Sequence, residues 1–395
     1  MKANTIGIIA FSSLLMAISP FATDTFVPSL PTISDSLGVK PSVVQMTLSV
    51  YLFSFAVGQL FWGPLADAVG RKKTILLGAG IFLLGSAGCF IFQDISLIII
   101  FRGIQGFGAS FGQILARAII RDLHSPEKGT KITAYSTMAM GSASIIGPNI
   151  GALLTYYYSW KLIFLVVFIY GLIIIFITFF NFKETSIYSN KSSFRLKEII
   201  KNFRMLISDR NFCCYTISLT LVFGCIFAFI SSGPFVASEV YKIDTSKLGL
   251  VFTPLALAFI LFSAITSKLV SKNNDSKLFF LGLIIAFFGG VAIFTGSLLY
   301  PNIFTMLFGA MIIAASMGMV VPIGFSLAIA NHPMIAGTAS TFLGFIQSSF
   351  SAFFGFITVI LYNKTAIPMS TIMLILTSLA LITFILYKNK SSKSK

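Results

Sequence analysis

Charge is what this sequence has least of. Of 395 residues, only 10% are Asp, Glu, Lys or Arg, where a water-soluble domain carries roughly a quarter. Apolar residues make up 56%, with 43 Phe and a mean hydropathy of +0.93. That much apolar surface exceeds what a water-soluble core buries, so lipid is the implied solvent. Cysteine is also scarce. Cys89, Cys213, Cys214 and Cys225 all fall within apolar runs and none has zinc-ligand spacing, so they read as buried thiols. The two histidines, His124 and His332, stand far along the chain from any Cys or carboxylate cluster. A metal site is therefore unsupported. No G-x-x-x-x-G-K-[ST] pattern occurs, so no nucleotide site is expected. The net charge of +16 comes from cations scattered in short interruptions rather than gathered in one basic domain, which argues against nucleic acid.

What the chain has is long apolar runs. Stretches of about 20 residues, the length that spans a bilayer as a helix, number twelve. They fall near 5–27, 42–64, 73–93, 95–117, 130–155, 160–182, 211–237, 248–270, 277–299, 302–329, 334–362 and 366–387. A closed barrel would show short alternating segments instead. The first run is long enough to span and resembles those after it, so a cleaved leader is not expected. Placing the N-terminus inside puts 22 cations in the inner interruptions and 5 in the outer ones. Both termini are accordingly expected in the cytoplasm. The one long polar interruption, 183–210, divides six spans from six. Within it "FRLKEIIKNFRMLI" has helical apolar spacing with interleaved cations, suiting a linker helix or one lying on the inner membrane surface.

Ionisable side chains inside spans are costly, and so are functional candidates. Asp24, near the outer end of span 1, and Arg102, in span 4, stand out. Helical spacing sets Ser13, Ala17, Pro20 and Asp24 on one face, and Arg102, Gln105, Ala109 and Gln113 on another. Two such polar stripes would line a water-accessible cavity, with Asp24 exchanging a proton beside Arg102. A structural ion pair, or Asp24 reaching the outer headgroups, accounts for the same spacing. Gln45, Tyr51, Gln105, Gln113 and Asn149 are candidates to line the cavity, although interhelical hydrogen bonding is the commoner use of such residues. Small residues in "RGIQGFGASFG" and "MGSASIIGPNIGALL" suit close helix packing, with Gly147 and Gly151 admitting a neighbour and Pro148 removing a backbone donor. In "FWGPLADAVGRKKT" (Phe61 to Thr74), the three cations hold an inner loop in place. Gly63 and Gly70 permit a tight turn there, and Asp67 is positioned to bond a helix N-terminus or a cation across the bundle interface, which would make this loop a conformational latch.

Three of these stretches together resemble the major facilitator superfamily of secondary transporters. "GPLADAVGRKK" is similar to its loop signature between spans 2 and 3, through Gly63, Asp67, Gly70, Arg71 and Lys72. Ala68 stands where that signature often carries Arg. "RGIQGFG" is similar to the span 4 signature through Arg102, Gln105 and Gly106. "GPNIGA" is similar to the antiporter signature of span 5 through Gly147, Pro148 and Gly151, with Ala152 in place of a second Gly. "TDTFVPSLPTI", "LARAIIRDL", "SSGPFV" and "AGTASTFLGFIQ" resemble the Bcr/CflA drug-resistance branch.

The resemblance implies an all-α integral membrane protein with a six-helix bundle over 1–182, a basic cytoplasmic linker over 183–210 and a second bundle over 211–395. It also implies proton-coupled export of small hydrophobic or amphipathic molecules, such as bicyclomycin or chloramphenicol. Coupling through Asp24 and Arg102 would be driven by a proton gradient with no cofactor. The expected setting is the bacterial inner membrane, as a monomer in the lipid bilayer. A nutrient symporter and a non-transporting membrane sensor stay as alternatives. An intramembrane enzyme lacks the His/Asp cluster, Ser–His pair or paired carboxylates it would need.

Overall fold

The computed structural model describes residues 5–124, 126–185, 196–270, 274–332 and 335–393. Lys2, Lys272, Lys395 and positions 186–195 of the polar interruption lie outside the described residues. All regular structure within them is helical. Contacts divide the chain into two units, one of residues 1–195 with Thr245–Gly249, the other of 196–244 with 250–395.

The first unit begins with α1 (Thr5–Asp24), a 3₁₀ turn at Val27–Ser29 and α2 (Leu30–Leu37). It continues through α3 (Pro41–Val69), α4 (Arg71–Ile91), α5 (Ile95–Ala109), α6 (Phe111–Leu123), α7 (Pro126–Tyr157) and α8 (Lys161–Phe180). Local chemistry sets several ends. Pro41 opens α3, where its missing N–H costs nothing. The Asp94 carboxylate caps α5 by accepting from the Leu97 N–H at 3.0 Å. The second unit holds α9 (Leu196–Ser208), α10 (Arg210–Phe235), α11 (Leu248–Leu269), α12 (Asp275–Leu299), α13 (Ile303–Ile329), α14 (Ala336–Ile360) and α15 (Ile367–Lys393). Asp209 caps α10 through the Asn211 N–H at 2.9 Å, and Asn302 with Thr305 forms a capping box on α13. Phe203 of α9 stacks on Phe342 of α14 with centroids 4.2 Å apart, so one face of the linker helix is packed on the second unit.

Among the described residues, eleven helical stretches are long and apolar enough to cross a membrane. Their outward faces carry large apolar side chains such as Phe176, Phe180, Phe288 and Phe308, each at least 60% exposed, as lipid requires. Helix α7, expected as a span at 130–155, is 32 residues long.

Several expectations change. The stretch from Gly63 to Lys72 is not a loop. Gly63 and Asp67 are inside α3, Arg71 and Lys72 open α4, and Gly70 alone joins the two helices with φ +95°. Arg117, counted with the inner loop cations, lies within α6 because the helix runs on to Leu123. His332 is not remote from carboxylates, since its Nε2 lies 2.7 Å from Asp209 Oδ2. Those two residues are 123 apart in the chain, a distance over which sequence spacing carries no signal.

The α3–α4 junction is held from three directions. Arg71 donates to Asp67 Oδ1 at 2.6 Å and to Asp122 Oδ2 at 2.9 Å. Glu184, just beyond α8, accepts from the Arg71 N–H at 2.8 Å and the Lys72 N–H at 3.0 Å. It thereby caps the positive end of α4. The φ of +95° favours Gly at position 70, and a Cβ there, 2.7 Å from Glu184 Oε2, would push the capping carboxylate aside. Of the two partners expected for Asp67, a cation is the one found, Arg71 one turn away in the same unit, and Glu184 takes the helix N-terminus. Glu184→Gln should cost about 1–2 kcal/mol, seen as a lower melting temperature of the purified protein in detergent. An unchanged melting temperature would remove the cap from the account.

Candidate functional site

Helix α1 ends at Asp24, and the next two residues turn the chain so that Asp24 and Phe26 serve different neighbours. The half-buried Asp24 carboxylate accepts from Thr23 Oγ1 at 3.1 Å and is within hydrogen-bonding reach of Ser144 on α7. Helix α7 approaches this point closely. A Cβ on Gly147 would lie 3.3 Å from the Asp24 Cβ, and one on Gly151 would overlap the Thr25 carbonyl oxygen. Pro148, between these two glycines, leaves one carbonyl of α7 without its helical donor. Asn149, half-buried beside it, donates from Nδ2 to the Ile145 carbonyl at 2.8 Å. The antiporter-like residues thus form the seat on which the Asp24 turn rests.

On the other side of that turn, Phe26 covers Arg102 of α5. The Arg102 side chain is fully buried. Its guanidinium carbon lies 4.5 Å from the Phe26 ring centroid, 4.3 Å from that of Tyr51 and 6.0 Å from that of Phe164. Such desolvated cation–π contacts are each worth about 2 kcal/mol. Nη1 donates to Gln105 Oε1 at 2.5 Å, Gln105 Nε2 donates to Ser86 Oγ at 2.7 Å, and Ser86 donates to the Phe82 carbonyl at 2.8 Å. Nε and Nη2 of Arg102 are buried without a hydrogen-bond partner. Tyr51 is held in place by donating to Ser19 Oγ at 3.2 Å.

Asp24 and Arg102 do not form an ion pair here. They are joined through the backbone from Asp24 to Phe26, with the carboxylate against α7 and the cation inside an aromatic cage. Gln45, Tyr51 and Gln105 are buried within the first unit rather than lining open space. For Gln105 the reason is its bonding to both Arg102 and Ser86. Gln113 is half-buried and donates to Met140 Sδ at 3.8 Å. The stripe expected from Arg102 to Gln113 is interrupted where α5 gives way to α6 at Ser110. Ser86, Phe26 and Phe164 went unnoticed in the sequence because serine and phenylalanine are common in any span. Among the described residues no group of three His, Cys, Asp or Glu could hold a metal ion.

The family model for the Major Facilitator Superfamily matches residues 12–356. The chain belongs to the Major Facilitator Superfamily. It is a transporter rather than an enzyme, and a multi-pass protein of the bacterial inner membrane. Among curated relatives of this superfamily, the bicyclomycin resistance protein homolog of Haemophilus influenzae is 28% identical, the match covering 93% of this chain and 92% of the relative. Multidrug resistance protein D of Escherichia coli is 24% identical, with 88% and 87% covered. The fold matches that of the xylose transporter XylE from E. coli in a partially occluded inward-open conformation, with TM-score 0.74 and 13% identity over 95% and 96% of the two chains. It also matches a bacterial homolog of the human lysosomal transporter Spinster, with TM-score 0.75 and 13% identity over 98% of each chain.

The seat under Asp24 is directly testable. Gly151→Ala should destabilise the protein by about 1–3 kcal/mol, because the added methyl group meets backbone that cannot rotate away. Thermal melting in detergent measures this. A wild-type melting curve would mean that α1 and α7 separate freely at this point.

Proposed function

We propose that this chain exports small hydrophobic or amphipathic molecules, drugs among them, in exchange for protons. Twelve spans, with α7 as the twelfth, form a bundle over 1–182 and another over 211–395 joined by the linker 183–210. The two bundles alternate access to a central path. Both termini lie in the cytoplasm, a reading supported by the excess of inner cations. The transporter works as a monomer and needs no cofactor beyond the proton gradient. The drug-resistance names of the two relatives quoted above support export as the direction of transport.

The observation that carries this reading is the shared turn between Asp24 and Phe26. Asp24 takes up and releases the proton. Protonation removes the charge that Thr23 and Ser144 hydrogen-bond, so the end of α1 shifts on the glycine seat of α7. Phe26 moves with that turn and opens or closes the cage around Arg102. The two unsatisfied donors of Arg102 then become available to substrate or to the deprotonated carboxylate. Arg102 is thus the partner of Asp24 in the cycle through a change of cover rather than a standing ion pair. The network of Arg71, Asp67, Asp122 and Glu184 steadies the inner end of the same unit while this occurs.

Asp24→Asn should abolish export driven by a pH gradient in proteoliposomes while leaving substrate binding measurable. Unchanged coupled transport would sink the role given to Asp24. Arg102→Ala should lose transport, and Arg102→Lys should keep part of it, because the ammonium retains the charge but lacks the planar group that stacks in the cage.

A further inference from the structure

Helix α9 is packed on one side only. Phe203 and the fully buried Leu206 set that side against the second unit. Phe342 of α14, on which Phe203 stacks, also stacks on Phe212 with centroids 6.1 Å apart. Phe212 is the third residue of α10, the helix that starts the next membrane-crossing stretch at Arg210. The middle of α9 is therefore pinned at the depth where α10 enters the bilayer. Asp209 alone separates the two helices, so α9 has no length of chain by which to leave that level.

Going round α9 from the packed Phe203, Ile207 comes next, then Arg204, then Lys201. Ile207 is 60% exposed. Lys201 and Arg204 are exposed as well, as is Arg210, and none of the three pairs with a carboxylate among the described residues. Arg210 opens α10, where the helix dipole disfavours a cation. The cationic surplus belongs to the whole linker. Seven cations from Lys183 to Arg210 stand against three carboxylates. Two of those three are occupied, Glu184 by the first turn of α4 and Asp209 by the Asn211 N–H and His332. An apolar edge bordered by cations, fixed where a span enters the membrane, suits a helix lying in the interface. The long cationic side chains there lay their stems along apolar surface and reach the phosphates with their heads.

We propose that α9 docks on anionic phospholipid headgroups of the inner leaflet, with Ile207 entering the acyl boundary and Lys201, Arg204 and Arg210 taking the headgroup phosphates. The bilayer surface supplies the negative charge that the linker lacks, and a phosphate beside Arg210 offsets the unfavourable placement of that cation at the start of α10. The inference does not rest on the export reading.

Two measurements on the full-length protein test it, and neither needs a gradient or an exported solute. The first is the affinity of the detergent-solubilised protein for tail-labelled phosphatidylglycerol and phosphatidylcholine, read by fluorescence anisotropy. Arg204→Gln should weaken phosphatidylglycerol binding by about fivefold, and Lys201→Gln combined with Arg204→Gln by about twenty-five-fold, one surface cation at each step. Phosphatidylcholine, with no net charge, should bind every variant as it binds wild type. Arg204→Lys should restore most of the affinity, because a headgroup surface reads charge rather than a planar fork. Lys268→Gln, which removes an exposed cation from the last turn of α11, should change nothing. An unchanged melting temperature shows that each variant is folded. The second measurement places a nitroxide at Ile207→Cys in a Cys213→Ser background, where the remaining cysteines are buried, in nanodiscs containing phosphatidylglycerol. Power saturation should find the label more accessible to oxygen than to a water-soluble nickel complex. Wild-type affinity of the double variant for phosphatidylglycerol overturns the proposal, as does an equal loss for both lipids or an equal loss in Lys268→Gln. A label more accessible to nickel than to oxygen overturns it too.

Discussion

A charge inside a membrane must find a partner, and the first unit is organised around where its few charges find theirs. Arg71 is matched by two carboxylates at the inner end. Arg102 has no carboxylate and rests among aromatic rings, with one amide as its hydrogen-bond acceptor. Asp24 faces hydroxyls rather than a cation. These are three different solutions to one electrostatic cost, and they differ in how easily they can be undone. The salt-bridged junction is rigid and resists separation. The aromatic cage takes two of its rings, Tyr51 and Phe164, from helices and the third, Phe26, from a turn, so Phe26 is the ring least firmly held.

Close packing makes that movement consequential. Because Gly151 brings the α7 backbone against Thr25, the end of α1 has no slack in which to absorb a change at Asp24. A shift there must be passed either to α7 or along the turn to Phe26. Packed interiors deform between discrete arrangements rather than continuously, which is the property a two-state transporter needs. Standing at the last position of α1 rather than in mid-helix, Asp24 is linked directly to α7 and, through the turn, to Phe26.

Much of this was legible in the sequence because it rests on local rules. The cost of burying charge picked out Asp24 and Arg102, and the small residues of α7 announced a close approach. The family followed from motifs in the right order. The rest depended on contacts between distant parts of the chain. Glu184 meets Arg71 across 113 residues, and nothing near Glu184 marks it as a helix cap. Gly63 looked like a turn residue but is helical, because glycine also serves where helices crowd and its neighbours in α3 continue the pattern. Gln105 seemed placed to face a cavity, since spacing gives a face but not what covers it.

The position of Glu184 also bears on how the polypeptide can be divided. By composition the first bundle ends with the apolar run at Phe182, which makes the next residues look like the start of a dispensable tether. Yet the carboxylate that closes α4 belongs to that tether. Two halves made as separate polypeptides would have to leave Glu184 on the amino-terminal piece, or the earlier half would carry an open helix end and a glycine joint braced only by Arg71 with Asp67 and Asp122. Co-translational assembly has the same requirement: the α3–α4 joint is complete only after the ribosome has passed the sixth apolar run.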